Sequence, residues 1–279
     1  MLITSEANPH IKYLKRLARR RFREEEEKFI IEGVRFVEEA VSCGWSLETV
    51  VYTPRVVQKD RGKRLLDSIA KLNIPTIEVT EAIFSNLSFT VTPQGVLAVV
   101  KAYKNNLTNL LQNKQNSLFV MIDGIQDPGN LGTIIRIADA AGAAGVILAK
   151  GTVDLYNPKT LRATMGSIFH LPVIMAGEAG EVAEGLLQNG VRLVVGIPQA
   201  RLPVYHADLT GPVALVVGSE ANGVSEKVKA LAEYQINIPM PGRAESLNAA
   251  AAAAIMCYEA IRQRLSKKSS SDFRGNRRH

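Results

Sequence analysis

The sequence predicts an α/β protein of two successive domains, and three observations predict it. Short apolar runs alternate with stretches of helical spacing both before residue 101 and after residue 118, the pattern of layered α/β folds. Between the two blocks the chain is rich in asparagine, lysine and glutamine and has little periodicity, which marks a connection. The strands of the second block, Leu118–Ile122 and Val213–Val217 among them, are apolar throughout. Such strands belong to a parallel sheet covered on both faces. The expected boundaries are a first domain over 1–103, a linker over 104–115, a second domain over 116–267 and a basic flexible tail over 268–279.

The first block opens with a helix over Pro9–Phe22. Its apolar Ile11, Leu14, Leu17 and Ala18 fall at helical spacing, and its other face is arginine and lysine. Phe29–Ile31 is a short buried strand ended by Glu32-Gly33. A helix over Val34–Val41 and a strand over Leu47–Tyr52 follow, then a helix over Arg64–Leu72, a strand over Thr76–Val79, a short helix over Glu81–Leu87 and an apolar strand over Gly95–Val100. One helical turn is expected around Leu107–Leu111 inside the linker. The second block continues from its first strand through a polar loop to a helix over Thr133–Ala141. After that come a strand over Val146–Leu148, a helix over Lys159–Gly166, a strand over His170–Ile174, a helix over Gly180–Gln188 and strands over Arg192–Gly196 and Val213–Val217. A last strand over Ile236–Ile238 runs into Pro239, Pro241 and Gly242, which forbid regular pairing. Ser246 stands where the N-cap of the following alanine-rich helix is expected.

The chain has 279 residues, 46% hydrophobic and 22% charged, an ordinary composition for a globular protein. No apolar run reaches the length of a membrane span, and Met1–Tyr13 lacks the apolar stretch of a signal peptide. A cytoplasmic protein without a membrane partner is expected. Cys43 and Cys257 lie far apart in apolar helical contexts and read as free buried thiols of a reducing compartment. The four histidines show no ligand spacing, so no metal site is expected. The formal net charge is +7, and its distribution is informative. Lys12, Lys15, Arg16, Arg19, Arg20, Arg21 and Arg23 crowd the N-terminus; Arg262, Arg264, Lys267, Lys268, Arg274, Arg277 and Arg278 crowd the C-terminus. A basic run is often a solvated helix face, but two of them flanking a nearly neutral middle favour a nucleic-acid partner.

Three loops in the second block can carry chemistry, because each follows a strand at the end where α/β sheets bind ligands. Asp123–Gly132 has neither the glycines of a dinucleotide fold nor the Gly-Lys-Ser/Thr of a P-loop. Its polar groups are Asn130 and, farther along an otherwise apolar helix, Arg136, which needs an anionic partner or a path to water. Gly218-Ser219-Glu220-Ala221-Asn222-Gly223 places Glu220 where core packing does not need it, between glycines that permit close backbone approach. The third loop carries Ser246 and Asn248 before the alanine-rich helix. Each alone is equally an ordinary turn.

Taken in order, N-L-G-T-I-I-R, G-S-E-A-N-G and I-P-M-P-G-R-A-E-S-L-N resemble the three motifs of the SpoU branch of the SPOUT RNA methyltransferases. The N-terminal S-E-A-N-P-H-I-K and F-I-I-E-G-V-R-F-V-E-E-A resemble the L30e-type substrate-binding domain that many members carry. The resemblance implies a small L30e-like α/β sandwich followed by a parallel-sheet domain with a C-terminal trefoil knot, usually assembled as a homodimer whose active site is completed across the interface. It implies S-adenosyl-L-methionine as cofactor, held at Gly218, Ile238 and Leu247 with Met240, Pro241 and Gly242 alongside. It places catalytic positions at Asn130, Arg136, Glu220, Ser246 and Asn248. The basic face of Lys12, Lys15, Arg16, Arg19, Arg20 and Arg23 is expected to meet RNA phosphates.

The expected activity is methyl transfer to a ribose 2′-hydroxyl of structured RNA. The extra L30e-like domain favours ribosomal over transfer RNA, because it suits recognition of an internal RNA shape. The alternatives are a transfer-RNA 2′-O-methyltransferase, a non-catalytic ribosome-binding protein, and a base-methylating relative, which the S-L-N and the first-motif arginine disfavour. No histidine lies in the motifs to serve as base. A guanidinium, with a pKa above about 12, is a poor one, so Arg136 reads as a stabiliser of the forming alkoxide.

Overall fold

The computed structural model describes residues 2–103, 105–112 and 117–275, with side chains through Lys267. They divide into two compact units. One gathers the chain up to Tyr103 together with Tyr156–Phe169, and the other gathers the remainder.

The first unit runs β1 (Leu2–Ile3), α1 (Pro9–Leu17), α2 (Arg20–Glu26), β2 (Lys28–Glu32), α3 (Val34–Ser42), β3 (Leu47–Tyr52), α4 (Asp60–Lys71), β4 (Thr76–Val79), α5 (Glu81–Leu87) and β5 (Val96–Lys101). Its five-stranded sheet has the order β1-β4-β3-β5-β2. β5 pairs antiparallel with both neighbours, and the other pairs are parallel. Ile11, Leu14 and Leu17 of α1 pack with Ile83, Phe84 and Leu87 of α5 over Leu97 and Val99 of β5. The alternating face and the helical spacing thus meet in one core.

The second unit runs α6 (Leu107–Leu110), β6 (Leu118–Asp123), α7 (Pro128–Ala140), β7 (Gly145–Leu148), then, beyond α8 (Pro158–Thr164), β8 (Val173–Met175), α9 (Ala179–Gln188), β9 (Arg192–Gly196), β10 (Leu202–Pro203), β11 (Val213–Gly218), α10 (Glu226–Leu231), β12 (Tyr234–Asn237) and α11 (Ala249–Gly275). Its seven-stranded sheet has the order β10-β12-β9-β11-β6-β7-β8, and every pair is parallel. The continuous apolar strands are therefore buried on both faces. The chain runs from β6 outward to β7 and β8, then crosses to β9 on the far side of β11. That reversal leaves a crevice beyond the C-terminal ends of β6, β11, β9 and β12, the place where an open α/β sheet binds ligands.

The segment Tyr156–Phe169, which carries α8, packs within the first unit. Tyr156 stacks on Phe29 with ring centroids 4.3 Å apart. Phe169 meets the Trp45 ring edge-on at 5.0 Å, and its carbonyl accepts a hydrogen bond from Trp45 Nε1 at 3.3 Å. These partners lie more than a hundred residues apart, so no local pattern announces the pairing. Nor is the stretch around α6 a free connection. Leu107 and Leu110 pack on the second core and Leu111 is buried in it. Lys104 and residues 113–115 of the expected linker lie outside the described residues, as do residue 116 and the side chains of the expected tail.

Several local expectations need correction. The basic N-terminal helix is two helices, broken where Arg19 takes an extended backbone, and Arg23 turns inward. It is 6% exposed, and its Nη1 donates to the carbonyls of Leu17 and Ala18 at 3.0 and 2.7 Å. It therefore closes the C-terminus of α1 and is not free for phosphate. Arg264 is likewise structural. Its guanidinium donates to Leu209 O, Gly211 O and Ser117 O; burial, together with the nearby Arg192 charge, lowers its pKa. Cys257 is buried, which pushes its thiol up to about 12. Cys43, expected to be buried, is exposed, because it sits one residue past the end of α3 where the apolar stripe has ended.

Candidate active site

The first loop ends earlier than expected, and this sets the position of Asn130. Asp127 Oδ1 accepts from Asn130 N at 2.8 Å, and Pro128 occupies the first helical position. That combination starts a helix at once. Asn130 thus stands in the first turn of α7, held by regular backbone. Beside it, β11 ends at Gly218 and the chain doubles back through a bridge between Ser219 and Gly223. Gly218 is required there, since a Cβ would meet Gly223 and Val224 backbone atoms well inside van der Waals contact. Asn222 N donates to Ser219 Oγ at 3.0 Å, and Ser225 N to the buried Asp123 Oδ2 at 2.8 Å. The tight turn therefore has a fixed shape, and it aims Glu220 at α7.

Glu220, Asn130 and Asn248 form one hydrogen-bonded series. Asn130 Nδ2 donates to Glu220 Oε1 at 2.7 Å, and Asn248 Nδ2 donates to Asn130 Oδ1 at 2.9 Å. Asn248 Oδ1 in turn accepts from Ala250 N at 2.9 Å and Ala251 N at 3.2 Å. Asn248 is therefore the N-cap of α11, and Ser246, expected in that role, lies two residues outside it in the exposed loop. The series runs from a carboxylate to the positive end of a helix dipole, a sense that fixes both amide orientations. Each asparagine keeps a second amide N–H without a protein acceptor among the described residues. Burial tends to raise the pKa of Glu220. The hydrogen bond from Asn130 and the amides of Glu220, Gln126 and Asp127 outweigh it, and the net shift is downward. Glu220 is thus an anchored anion.

This assignment of the cap is testable. Asn248→Ala is expected to destabilise the fold by about 1 kcal/mol, the ordinary cost of losing an N-cap. Ser246→Ala should stay within about 0.5 kcal/mol of wild type. Equilibrium denaturation of both variants measures the contrast, and equal losses would contradict it.

A cavity of about 550 Å³ opens next to this series. Gly218, Glu220, Ile238, Met240, Ser246, Leu247 and Asn248 all line it, whereas Pro241 and Gly242 do not. Val216, Ile236, Ala252 and Met256 add apolar wall; Gln199, Asn222 and Lys229 add polar groups. An apolar wall with a few polar groups is the lining of a small-molecule site. Residues 197–199, which follow β9 and line the cavity, were not singled out in the sequence. The signal was the same as for the other loops, a glycine and a proline at the end of an apolar strand. Arg136 lies outside the cavity. It is exposed on α7 and makes no hydrogen bond or ion pair among the described residues.

In the basic N-terminal region the charges are largely matched. Lys15 pairs with Glu6 at 2.6 Å, Arg20 with Glu24 at 2.7 Å and Arg21 with Glu25 at 2.9 Å, while Arg16 lies over the Phe22 ring. Lys12 and Arg19 are exposed. Such surface pairs are weak, and their glutamates offset part of the positive charge of this region.

Comparison with known proteins agrees with this geometry. Residues 117–258 match the SpoU rRNA Methylase family, and residues 8–98 match the MRM3-like substrate binding domain. A 23S rRNA (guanosine(2553)-2′-O)-methyltransferase of Bacillus subtilis is 35% identical over 260 residues, 92% of this chain and 97% of that protein. The solved structure of an AdoMet-bound rRNA methyltransferase from Sinorhizobium meliloti superposes with a TM-score of 0.84 at 33% identity, covering 94% of this chain and 97% of that one. The SpoU methyltransferase AviRb from Streptomyces viridochromogenes, in complex with AdoMet, gives a TM-score of 0.83 at 32% identity, over 93% of this chain and 100% of that one. With its parallel sheet, its motif loops at one edge of that sheet and this match over half its length, the chain belongs to the SpoU rRNA methylase family.

Proposed function

We propose that this protein transfers a methyl group from S-adenosyl-L-methionine to a ribose 2′-hydroxyl of large-subunit ribosomal RNA. The observation that carries the reading is the series Glu220–Asn130–Asn248, which joins the three motif loops at the mouth of the cavity. The cavity suits the cofactor, because Ile236, Ile238, Leu247 and Met256 offer apolar surface to a purine while Gln199, Asn222 and Lys229 offer polar partners. When bound there, the cofactor supplies an electrophilic methyl group on sulfur. The protein has to place the hydroxyl in line with it, and correct placement is worth roughly 7–11 kcal/mol of barrier.

In this reading Glu220 is a positioning residue. It orients the Asn130 amide, and the spare N–H groups of Asn130 and Asn248 are donors for the incoming ribose. Ser246, exposed at the rim, completes the polar edge. Arg136 is the group that stabilises the forming alkoxide, but it does not line its own chain's cavity. It therefore serves the site of a second copy, and the enzyme is a homodimer. Ile255, Tyr258 and Leu265 support that assembly, since they stand exposed on α11 at spacings that put them near one another. The same reading includes a C-terminal trefoil knot, with α11, which lies against both α7 and β11, as the threaded segment. The first unit binds the RNA, the second carries the chemistry, and the expected place of work is the cytoplasm.

The test is methylation by the purified protein, with labelled S-adenosyl-L-methionine, of an unmodified 23S rRNA transcript and of unmodified transfer RNA in parallel, followed by mapping of ribose methylation. One 2′-O-methylated position is the expected result. Label incorporated only into transfer RNA, or into a base, would overturn the reading.

A further inference from the structure

The Glu220 carboxylate is held at both oxygens. Oε1 accepts from Asn130 Nδ2 at 2.7 Å, and Oε2 accepts from Gln126 N at 3.2 Å. The first donor stands on α7, whose backbone is regular. The second stands in residues 124–127, which form neither helix nor strand, so its direction depends on other bonds. The Gln126 side chain makes them. It is exposed, but its amide turns back onto the protein: Nε2 donates to Gly124 O at 3.0 Å and also to Gly151 O. Gly124 and Gly151 stand at φ +81° and +91°, a left-handed backbone that glycine adopts without steric cost. From there both carbonyls reach the same amide.

Gly151 lies in the loop after β7, so Gln126 joins that loop to the loop after β6. Two further bonds run beside it. Gly124 N donates to Thr152 Oγ1 at 3.3 Å, and Val153 N donates to Ile125 O at 2.9 Å. Ile125 and Leu155, one in each loop, are buried. Ordering an exposed glutamine costs rotamer entropy. What the order secures is the direction of the backbone N–H at position 126. Gln126 does not line the cavity, so contact with the cofactor does not account for it. Resting on the methyl-transfer reading above, we propose that Gln126 is a positioning residue for that reaction. Its side chain clasps the loops after β6 and β7, and its N–H thereby fixes the second oxygen of Glu220. A carboxylate held at both oxygens cannot rotate about its last torsion, so Oε1 stays on the Asn130 amide and keeps it oriented. The hydrogen-bonded series of the site then begins at Gln126 and runs through Glu220 and Asn130 to Asn248.

Gln126→Met tests this in the full-length protein, because methionine keeps the length of the side chain and removes its donors. Single-turnover methylation of a 23S rRNA transcript is measured beside S-adenosyl-L-methionine calorimetry and thermal melting. The rate at saturating RNA is expected to fall about tenfold, the scale of one lost hydrogen bond. Cofactor affinity and the RNA concentration for half-maximal rate should stay within about twofold, and melting should match wild type, as for an exposed substitution. A second comparison separates positioning from general support of the loop. In a Glu220→Ala background, Gln126→Met is expected to change the rate by less than about twofold, because residues that act through one group are not additive. A wild-type rate in Gln126→Met would overturn the positioning role and leave the enzyme reading standing. So would an equal tenfold loss in the Glu220→Ala background, a matching fall in cofactor affinity, or a rise only in the RNA concentration required. Wild type that methylates no RNA would overturn both.

Discussion

Arg136→Ala is expected to lower methyl transfer by about 100- to 1000-fold, the usual effect of removing one preorganised stabiliser of developing negative charge. Cofactor affinity should remain within about twofold, because Arg136 does not line the cavity. Stability should also be preserved, since the side chain is exposed and makes no bond among the described residues. The profile to look for is loss in turnover with little change in S-adenosyl-L-methionine binding, measured by steady-state kinetics beside calorimetry. Near-normal turnover would remove Arg136 from the mechanism. A parallel fall in cofactor affinity would place it in its own chain's site and count against the composite dimer.

Gly218→Ala should have the opposite profile, with cofactor binding reduced at least about 100-fold. The added Cβ would run into the Gly223 and Val224 backbone, so the turn must open. Opening it displaces Glu220, and the hydrogen bond that orients Asn130 goes with it. Forcing one carbon into packed backbone costs roughly 1–3 kcal/mol, so the melting temperature should fall, while the protein should still fold around its seven-stranded sheet. Calorimetry with S-adenosyl-L-methionine decides, and wild-type affinity would show that the turn yields without harm. The two variants also test the dimer together. If Arg136 acts on the partner's cavity, co-refolding Arg136→Ala with Gly218→Ala yields some dimers with one intact composite site, and activity reappears in the mixture. If both residues act within one chain, every site in the mixture is defective and none returns.

The fold class and element order were legible because both rest on local periodicity. Continuous apolar runs such as Val213–Val217 and Leu118–Ile122 have to be covered on both faces, and they form the centre of the parallel sheet. The site was legible as three loops after three strands, together with a family resemblance in their residues. Its misread helix cap was a place where two nearby residues could play the same local part. Ser246 and Asn248 are both good caps. Asn248 takes the role because its side chain reaches Ala250 and Ala251 while also donating to Asn130, a residue over a hundred positions away.

By itself the sequence determined two α/β blocks, a parallel second sheet, the chemical types of the motif residues and a positive net charge. Only the tertiary structure decided which charges are free, because a guanidinium's partners are set by the packing of distant segments. Arg23 and Arg264 turn onto backbone carbonyls, and Arg136 stays in solvent. It also decided that Tyr156–Phe169 joins the first unit, since ring stacking on Phe29 depends on which surfaces meet and leaves no trace in local spacing. Finally, it ordered the site: Glu220, Asn130 and Asn248 become one hydrogen-bonded series because parallel pairing of β6 with β11, β11 with β9 and β9 with β12 brings the C-terminal ends of these strands to the same side of the sheet.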